Sequence, residues 1–506
     1  MTKFYKITLL VLGLSLGISG WQPTIDDPDL GWHLLGGQIT VEQGFPPSTD
    51  NINSFASFWH DYHWFGQILI YSIFASFGYT GVKLFFAFVY GGIFLLLILI
   101  TERILRQRLK LFFVPTVISI LWSAAILQAF VNYRPQIIAA LLLAGTLQVL
   151  LCKRFSSVIE FLIVFVMAVL AVNIHVTWVF VPMLWFCLRV LPEFLDRDFL
   201  TCKQNLCGLI LLLLTGFVSP YGTLIRPTGE SAWLINYTLL LEYARTPNIL
   251  KEQISEFASA FNSSTYYGGI LFISLAIFAA CERIYQWKRD AGLKLLFLIT
   301  AILSTYSLKF LLVFSVLGFP TIFKASLRIY CQCLRLFPKL RFSSVIPLGF
   351  LWCGILYLLI MSYQRYPDSQ KIKTELADTP LAACEFLTMH AAADAKLVHA
   401  REIRVLTDFN WGGWCRWVSY QTNPSLALRV TSDGRTQWRA ISELENSFNL
   451  TWMRRDWYRI LLKLSPVYLL VDRQTPLASA LKYLPVRYNL LYEDSRFLVY
   501  QAMANE

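Results

Sequence analysis

The chain is predicted to be an α-helical membrane protein that crosses the bilayer many times, and three features of the sequence predict this. Of its 506 residues, 56% are hydrophobic and 15% are charged, whereas a soluble domain is roughly 45–50% apolar and about 25% charged. The mean hydropathy is +0.52. Apolar runs of about 17–20 residues recur along the chain, and a helix of that length crosses a hydrocarbon core roughly 30 Å thick.

Short basic loops between the apolar runs account for the net charge of +12. Lysines and arginines concentrate in loops 102–110, 152–154, 282–294 and 328–341, and basic residues in short loops mark the cytoplasmic side of a membrane protein. The charge therefore sets the topology and meets anionic head groups. It does not indicate a protein that binds nucleic acid.

The apolar runs predict spans near residues 5–21, 63–79, 80–101, 111–131, 135–151, 158–172, 174–190, 205–222, 266–282, 292–308, 310–327 and 343–362. Residues 1–20 also resemble a signal peptide, but an uncleaved first span fits better because further spans follow. The basic start of the chain places loop 22–62 outside. Residues 63–101 must then cross an odd number of times although they look like two spans, so the predicted number of spans is 11 or 12.

The sequence divides into a membrane domain, 1–362, and a hydrophilic tail, 363–506. The tail contains short apolar stretches such as "SLALRV", "VYLLVD" and "RFLVYQA" with helical stretches between them, which predicts a small α/β domain. Span counting places this domain and the loop 222–265 on the external side. The tail holds two cysteines, Cys384 and Cys415, and their spacing leaves a disulfide between them undecided.

The external loop 22–62 holds the densest set of polar side chains: Asp26, Asp27, Asp29, His33, Glu42, Asp50, His60, Asp61 and His63. Within it, "DLGWHLLGGQITVEQG" has apolar residues at helical spacing. This stretch predicts an amphipathic helix at the membrane surface, with Trp21, Trp32 and Trp59 as anchors.

The aspartates of this helix have two interpretations with equal support from the residues alone. In the structural one, Asp27 is the N-cap, Pro28 lies in the first turn, and Asp29 pairs with His33 at i and i+4. In the functional one, the same carboxylates are catalytic groups. The residues establish no cofactor; a divalent cation held by Asp27, Asp29 and His33 is possible, because carboxylate and imidazole suit such cations, although Asp-x-Asp is a common tripeptide.

A second polar cluster, His60, Asp61 and His63, lies at the far end of the loop. Histidine titrates near neutral pH, so this cluster is a candidate proton carrier or substrate-binding group. Polar groups at the entrance of a span are the plainer interpretation.

Other polar residues lie on the predicted external side. Arg134 in "NYRPQ" suits a lipid phosphate, and His175 in "VNIHVTW" is placed to line a cavity. Glu242 and Glu256 belong to loop 222–265, and Lys309 lies at the end of a span. The plainer alternatives are cations that snorkel to the interface and a histidine bonded to a carbonyl group.

Several motifs in a shared order resemble those of a group of large bacterial membrane proteins placed with the GT-C glycosyltransferases. The relatives of this group include protein O-mannosyltransferases and lipid A aminoarabinose transferases. Their first-loop pattern, Asp-Pro-Asp-Leu-x-Trp-His-Leu, is similar to residues 27–34 here. The pattern continues at Gly44, Pro47, Asp50, Ser54 and Phe55. Further matches are "NYRPQ" at 132–136, "NIHVTW" at 173–178, "ISEFAS" at 254–259, "DFNWGGW" at 408–414, "SDGR" at 432–435 and "YEDSRFLVY" at 492–500.

The resemblance implies a GT-C-like helical bundle with an external α/β cap and a sugar donor linked to a polyprenyl phosphate or pyrophosphate. It also implies an acidic residue in the first external loop that acts as base or orients the acceptor, which is Asp27 or Asp29 here. Candidate substrate-binding residues are His33, Asp61, His63, Arg134, His175, Glu256 and Lys309. The sequence departs from the family at Tyr62-His63-Trp64, where His-Glu-Trp is usual, and at Lys309, where arginine is common.

We therefore expect an inverting, hexosyltransferase-like enzyme that transfers a lipid-linked sugar at the external face of a bacterial inner membrane. Its expected partners are the polyprenyl-phosphate sugar donor, the bilayer and a glycan, lipid or protein acceptor. The alternative is a non-catalytic membrane protein that binds lipid-linked glycan or supports an envelope assembly complex. A transporter is disfavoured, because no internal repeat is seen and the polar residues cluster at one face.

Overall fold

The computed structural model describes residues 2–18, 24–25, 27–50, 52–55, 59, 61–105, 113–130, 132–152, 155–220, 234, 236–238, 258–259, 265–282, 290–336, 345–364, 367, 369–394, 402–435, 441–484 and 488–503. Several residues singled out from the sequence lie outside this part of the chain: Trp21, Asp26, His60, Glu242 and Glu256.

In the first two thirds of the chain, the long regular elements among the described residues are helices. The helices are α1 (Thr2–Ile18), α2 (Leu30–Gln43), α3 (Trp64–Leu105), α4 (Phe113–Leu127), α5 (Pro135–Cys152), α6 (Ser157–Val172), α7 (Phe180–Trp185), α8 (Leu191–Leu195), α9 (Phe199–Leu214), α10 (Thr265–Glu282), α11 (Ala291–Tyr306), α12 (Lys309–Leu317), α13 (Phe319–Leu336) and α14 (Val345–Gln364). A short 3₁₀ turn, Val176–Val179, precedes α7.

The last third mixes helices and strands. Its elements are α15 (Ser369–Ala377), α16 (Leu381–Ala393), β1 (Ile403–Thr407), α17 (Gly412–Thr422), β2 (Leu428–Val430), α18 (Ile441–Thr451), α19 (Trp457–Leu464), β3 (Tyr468–Asp472), α20 (Pro476–Leu481), β4 (Tyr488–Glu493) and β5 (Phe497–Ala502).

Each predicted span corresponds to an observed helix or helix group, with two breaks that the hydropathy did not reveal. Of the predicted spans 63–79 and 80–101, all residues from Trp64 onward lie within α3, and Gly78 interrupts its helical geometry with a positive φ of 62°. The predicted span 310–327 is divided at Gly318 into α12 and α13, which are bent by 55°. Glycine adopts a positive φ without steric cost, which makes Gly78 a natural place for the helix to break.

Membrane-spanning character follows from the length and apolarity of the helices. Among the described residues, four helical segments satisfy both criteria: Trp64–Leu105, Pro135–Cys152, Val176–Leu195 and Phe199–Phe217. The bent pair α12 and α13 satisfies them together. The chain is thus a mainly helical, multi-pass membrane protein, and the number of 11 or 12 spans stays a prediction.

The chain folds into two compact units. The first, the membrane unit, comprises Met1–Pro23, Lys83–Ser219 and Trp233–Tyr366. The second, the cap unit, comprises Thr24–Val82, Pro220–Ala232 and Pro367–Glu506. The first loop and the tail therefore fold together as one body.

A five-stranded sheet forms the centre of the tail, in the order β2-β1-β3-β5-β4. Strands β2, β1 and β3 are parallel, and β5 pairs antiparallel with both β3 and β4. The predicted strand stretches correspond to β2, β3 and β5, which confirms the small α/β domain. Helices α18, α19 and α20 pack against the sheet through residues such as Leu450, Leu461 and Leu477.

The two cysteines of the tail are free thiols in the structure. Cys384 lies in α16 and Cys415 in α17, and both are buried. Each fills space in the core of the cap unit as a small apolar side chain.

Candidate active site

The start of α2 positions the two aspartates differently from the sequence prediction. The helix begins at Leu30, so its N-cap is Asp29 rather than Asp27. The Asp29 side chain makes no capping hydrogen bond; its Oδ1 accepts a hydrogen bond from Trp32 Nε1 at 3.0 Å. Asp27 Oδ1 instead accepts from the backbone N–H of Asp29 at 3.0 Å. Asp27 thus shapes the turn that leads into the helix, and Asp29 projects from the end of that turn.

The predicted surface location of α2 is wrong, because residues Leu30 to Thr40 are buried inside the cap unit. Trp32 and Trp59, expected as membrane anchors, are buried as well. Glycines allow this burial: a Cβ at Gly31 would lie 2.6 Å from the backbone nitrogen of Trp414, and a Cβ at Gly37 would overlap the Gln67 carbonyl oxygen. The helix is held between α17 and the start of α3, so its carboxylates have fixed positions.

His33 and Asp61 meet through the amide of Gln67. Gln67 Nε2 donates to Asp61 Oδ1 at 2.9 Å and lies 3.3 Å from His33 Nδ1. The backbone N–H of His63 also donates to Asp61 Oδ1, at 3.1 Å, and the rings of His33 and His63 are 5.4 Å apart. The structure therefore brings three of the candidate residues into one buried cluster, which we call the Asp61 cluster.

Burial raises the pKa of Asp61 from 3.8 to about 7, and the nearby Arg435 charge and the hydrogen bonds from His63 and Gln67 oppose part of that rise. Desolvation disfavours the ionised carboxylate, and here it outweighs the groups that favour it. Asp61 consequently titrates near neutral pH, the range in which histidines exchange protons.

A second buried cluster, the Arg435 cluster, ties the first loop to the tail. Arg435 Nη2 donates to Asp50 Oδ2 at 2.8 Å and to Asp433 Oδ2 at 2.7 Å. Asn53 Nδ2 donates to the same Asp433 oxygen at 3.2 Å, and the guanidinium lies 4.6 Å from the centroid of the Trp59 ring. The two carboxylates hold the pKa of Arg435 above its usual range.

The first loop also extends the sheet at its β2 edge. Asn53 forms a parallel β-bridge with Val430. The N–H of Val430 donates to the Ile52 carbonyl oxygen, and the Val430 carbonyl oxygen accepts from the Ser54 N–H, both at 2.9 Å. Gly434 lies in the turn after β2 and has a φ of +82°. A Cβ on Gly434 would lie 2.9 Å from Asp29 Oδ1. The turn therefore needs glycine both for its backbone conformation and for the approach of Asp29.

A cavity of about 280 Å³ opens beside this turn. Its walls come from the first loop, the end of β2, and helices α18 and α19, and it is lined by Phe55, Thr431, Glu443, Asn446, Ser447, Leu450, Ile460, Lys463 and Leu464. Mixed apolar and polar walls of this kind suit a small polar molecule with an apolar face.

The remaining described candidates lie in the membrane unit, at the ends of helical elements. Arg134 directly precedes α5, and Lys309 is the first residue of α12. His175 is buried, and its Nδ1 accepts from the Thr177 N–H at 3.2 Å, so it caps the turn Val176–Val179. Helix α5 packs against both this turn and α12.

The predicted cation site is not formed by the described residues. No group of three or more histidine, cysteine, aspartate or glutamate side chains in the described ranges is arranged to hold a metal ion. The side chains of Asp27, Asp29 and His33 contact different partners, and a cation held by the three stays a prediction. Glu256 lies outside the described residues.

Arg435, Gln67 and Gly434 were not assigned a role from the sequence. The only signal was the resemblance of "SDGR" to the family, which marked residues 432–435 without giving them a function. Asp50 and Arg435 are separated by 385 positions, and a single sequence contains no signal for such a pairing.

No protein-family model matches the sequence, and no curated protein resembles it in sequence to a significant degree. Solved structures do resemble it. An Archaeoglobus fulgidus oligosaccharyltransferase tethered to an acceptor peptide has a TM-score of 0.57 at 10% identity, over 99% of this chain and 74% of that one. The oligosaccharyltransferase AglB of the same organism, with an inhibitory peptide and a dolichol-phosphate, has a TM-score of 0.57 at 11% identity, over 99% and 74% of the two chains.

ArnT from Cupriavidus metallidurans, bound to undecaprenyl phosphate, has a TM-score of 0.51 at 12% identity and matches 100% of this chain and 99% of that one. The chain has a GT-C-type fold. The resemblance drawn from the sequence motifs is thereby confirmed at the level of the fold. Identities of 10–12% establish no reaction, and fold alone does not imply function.

Proposed function

We propose that this chain transfers a sugar from a polyprenyl-phosphate-linked donor to an acceptor hydroxyl at the extracytoplasmic face of a bacterial inner membrane. Neighbours of the same fold carry dolichol-phosphate in AglB and undecaprenyl phosphate in ArnT. The observation that carries the proposal is the fixed position of Asp29. Its carboxylate is held by Trp32 Nε1 at the start of α2 and lies against the turn at Gly434.

In the proposed reaction, Asp29 accepts the proton of the acceptor hydroxyl. The hydroxyl oxygen bonds to the anomeric carbon of the sugar from the side opposite the lipid, and the bond between that carbon and the phosphate oxygen breaks. The lipid phosphate leaves with the electron pair, and the anomeric configuration inverts. A positioned general base contributes about 10²–10⁴-fold to such a step.

Asp27 acts through Asp29 in this scheme and is a positioning residue. Its Oδ1 holds the Asp29 backbone N–H, and its carbonyl oxygen accepts from Trp414 Nε1 at 3.0 Å. His33, a residue of α2, is buried together with Asp61 and His63, which precede α3. They are proposed to keep α2 in place and to hold a titrating proton near the substrate, which is a narrower role than the direct substrate contact expected from the sequence.

The leaving phosphate is proposed to bind Arg134 or Lys309. Each lies at the N-terminal end of a helix, where backbone N–H groups and the helix dipole favour an anion. The guanidinium of Arg134 additionally matches two phosphate oxygens at once. His175 is proposed to contact the donor, and Glu256, which lies outside the described residues, stays a prediction from the sequence.

The cavity beside β2 is proposed to hold the acceptor. Thr431 lines it three residues before Gly434, where an added Cβ would lie 2.9 Å from Asp29 Oδ1. Asn446 and Ser447 offer hydrogen-bonding groups on one wall, and Leu450 and Ile460 offer an apolar one.

The test uses purified full-length protein in liposomes with a panel of labelled polyprenyl-phosphate and polyprenyl-pyrophosphate sugars, and it follows release of the free lipid carrier. Wild type is compared with Asp29→Asn, Asp27→Asn and the control Asp456→Asn. Asp456 is an exposed residue at positive φ whose side chain makes no capping bond, and asparagine tolerates that backbone conformation well.

Release by wild type and by the control, with loss in Asp29→Asn, is the expected result. Failure of every donor in the panel, together with saturable lipid binding that the substitutions leave unchanged, would contradict the transferase. That outcome would favour a protein that binds lipid-linked glycan or supports an assembly complex.

A further inference from the structure

The cavity beside β2 has the size of a site for a small molecule. Its volume of about 280 Å³ is close to the lower end of the roughly 300–1,000 Å³ that is typical of ligand pockets. Its described walls come from the first loop, the end of β2, α18 and α19, all of which belong to the cap unit. The cavity therefore admits one compact molecule or the end of a longer one.

Helix α18 turns a largely polar face to the cavity. The α18 residues that line it are Glu443, Asn446, Ser447 and Leu450. Their spacing of i, i+3, i+4 and i+7 places them on one side of the helix. A helix that only covers a core carries apolar residues at this spacing. Here only Leu450 is apolar, and it packs in the core beside the sheet. The other three positions give the cavity a polar wall.

Asn446 and Ser447 keep their hydrogen-bonding capacity for the contents of the cavity. Both are half-buried, and neither side chain bonds to another residue in the described ranges of the chain. The amide of asparagine offers two donors and an acceptor, and the serine hydroxyl offers a donor and an acceptor. Polar groups inside a protein are normally hydrogen-bonded, so water or a ligand in the cavity must supply their partners.

The other polar groups of the cavity come from different elements. Thr431, at the end of β2, accepts a hydrogen bond from the Thr407 N–H at its Oγ1, at 3.2 Å, which leaves the hydroxyl hydrogen to donate. Lys463 of α19 adds N–H donors. Donors and acceptors thus surround the cavity on β2, α18 and α19. A hydroxyl group, which both donates and accepts, can bond to any of them.

Phe55 contributes an aromatic ring whose position is fixed. Its backbone N–H donates to Asn53 Oδ1 at 2.8 Å, and the Arg404 guanidinium lies 5.6 Å from the centroid of its ring. Arg404 Nη1 also donates to the carbonyl oxygen of Leu464 at 2.8 Å, and Leu464 lines the cavity as well. A ring that is already held in place binds a flat apolar face without a further loss of side-chain freedom.

We infer that the acceptor is a saccharide and that one of its pyranose rings occupies this cavity. The inference rests on the proposed function, in which the cavity holds the acceptor. A pyranose carries C–H groups on its faces and hydroxyls around its rim. The C–H hydrogens match the negative face of the Phe55 ring, and the rim hydroxyls match Asn446, Ser447 and Thr431. The saccharide supplies the acceptor hydroxyl of the reaction given above, and the bonds that form and break are the same.

An acyl chain does not fit the cavity equally well. It would displace water from Asn446 and Ser447 without replacing the hydrogen bonds, and a polar group buried without a partner is unfavourable. A lipid acceptor would therefore meet a lining of the wrong polarity.

The test measures binding by full-length protein in a detergent without a sugar headgroup and in the absence of any donor. The probes are the methyl glycosides of glucose, galactose, mannose and N-acetylglucosamine, at millimolar concentration, with a serine-containing hexapeptide as the competing class of acceptor. Binding is followed by saturation-transfer difference NMR. The variants are Asn446→Leu and Phe55→Leu. The matched control is Asn449→Leu, because Asn449 belongs to α18 but is not among the residues that line the cavity.

We expect at least one glycoside to bind saturably, about tenfold more weakly in Asn446→Leu and in Phe55→Leu, and within about twofold of wild type in Asn449→Leu. Tenfold corresponds to about 1.4 kcal/mol, which is the size of a single hydrogen bond. Thermal unfolding checks each variant, and Ser447→Ala replaces Asn446→Leu if the latter does not fold. Equal weakening in Asn446→Leu and Asn449→Leu, or binding of the hexapeptide alone, would overturn the inference.

The liposome assay separates this inference from the proposed function. The glycoside that binds should raise the rate at which wild type releases the lipid carrier. Carrier release without binding of any glycoside would overturn the saccharide acceptor and leave the transferase in place. Glycoside binding with no release from any donor would contradict the transferase and, with it, the role of the bound sugar as an acceptor.

Discussion

Replacing Arg435 by glutamine removes a cation that pairs Asp50 of the first loop with Asp433 of the turn after β2. Asp433 is 0% and Asp50 4% exposed, so the substitution leaves two carboxylates in a site that water does not reach. Breaking a buried ion pair by removing one partner costs about 3–5 kcal/mol. For a unit of roughly 200 residues, each kcal/mol lowers the unfolding midpoint by about 2–4 °C. We therefore expect the midpoint of the cap unit to fall by roughly 6–20 °C.

The assay exploits Cys384 and Cys415, which are completely buried in the cap unit. Full-length protein in detergent is heated stepwise with an alkylating reagent, and modification of each cysteine is measured by peptide mass spectrometry. The matched control is Arg473→Gln, since the Arg473–Glu493 pair is exposed and an exposed pair contributes only about 0–1 kcal/mol. Adding Asp50→Asn and Asp433→Asn to Arg435→Gln should recover part of the loss, because the stranded charges are removed. Equal small shifts in Arg435→Gln and Arg473→Gln would refute the assigned role of the cluster.

Three further predictions use the same chain. The pKa of Asp61 is raised from 3.8 to about 7 in the folded state, so the folded state binds this proton more tightly than the unfolded state. The resulting contribution to stability is present in acid and is lost as the pH rises from about 4 to about 7. Asp61→Asn should flatten that part of the curve of unfolding midpoint against pH, and an unchanged slope would contradict the prediction. Arg435→Gln should extend that decline to higher pH, because Arg435 lowers the folded pKa of Asp61 and leaves the unfolded one unchanged; a decline that ends at the wild-type pH would show that Arg435 has no such influence. Gly37→Ala should cost about 1–3 kcal/mol through overpacking against the Gln67 carbonyl oxygen. Gly269→Ala, in the membrane unit and with open space around it, should leave the midpoint of the cap unit unchanged in the same thermal assay.

The helical part of the fold was predictable because the length and apolarity of each run are local properties. The runs located the helices from α1 to α14 well. The breaks were harder. Gly78 lies inside an almost unbroken apolar stretch, where hydropathy alone cannot show that the backbone leaves helical geometry. The second break was signalled only by "LGFP", in which Gly318 ends one helix and Pro320 fits the start of the next.

The candidate site was predictable in its residue types and not in its arrangement. The sequence pointed to Asp27, Asp29 and Asp61, since carboxylates beside apolar runs are unusual. It placed α2 at the membrane surface because leucines recur at helical spacing. Glycines at 31 and 37 instead allow other backbones to cover the helix, and the pairing of Asp50 with Arg435 depends on a fold that brings distant parts of the chain together.

The most direct test of the account is the initial rate of lipid-carrier release by Asp29→Asn in the liposome assay, with donor binding measured on the same sample. We predict a rate about 10²-fold or more below wild type, binding of the donor within about twofold, and wild-type behaviour of Asp456→Asn. A wild-type release rate in Asp29→Asn would contradict the central claim that this carboxylate activates the acceptor.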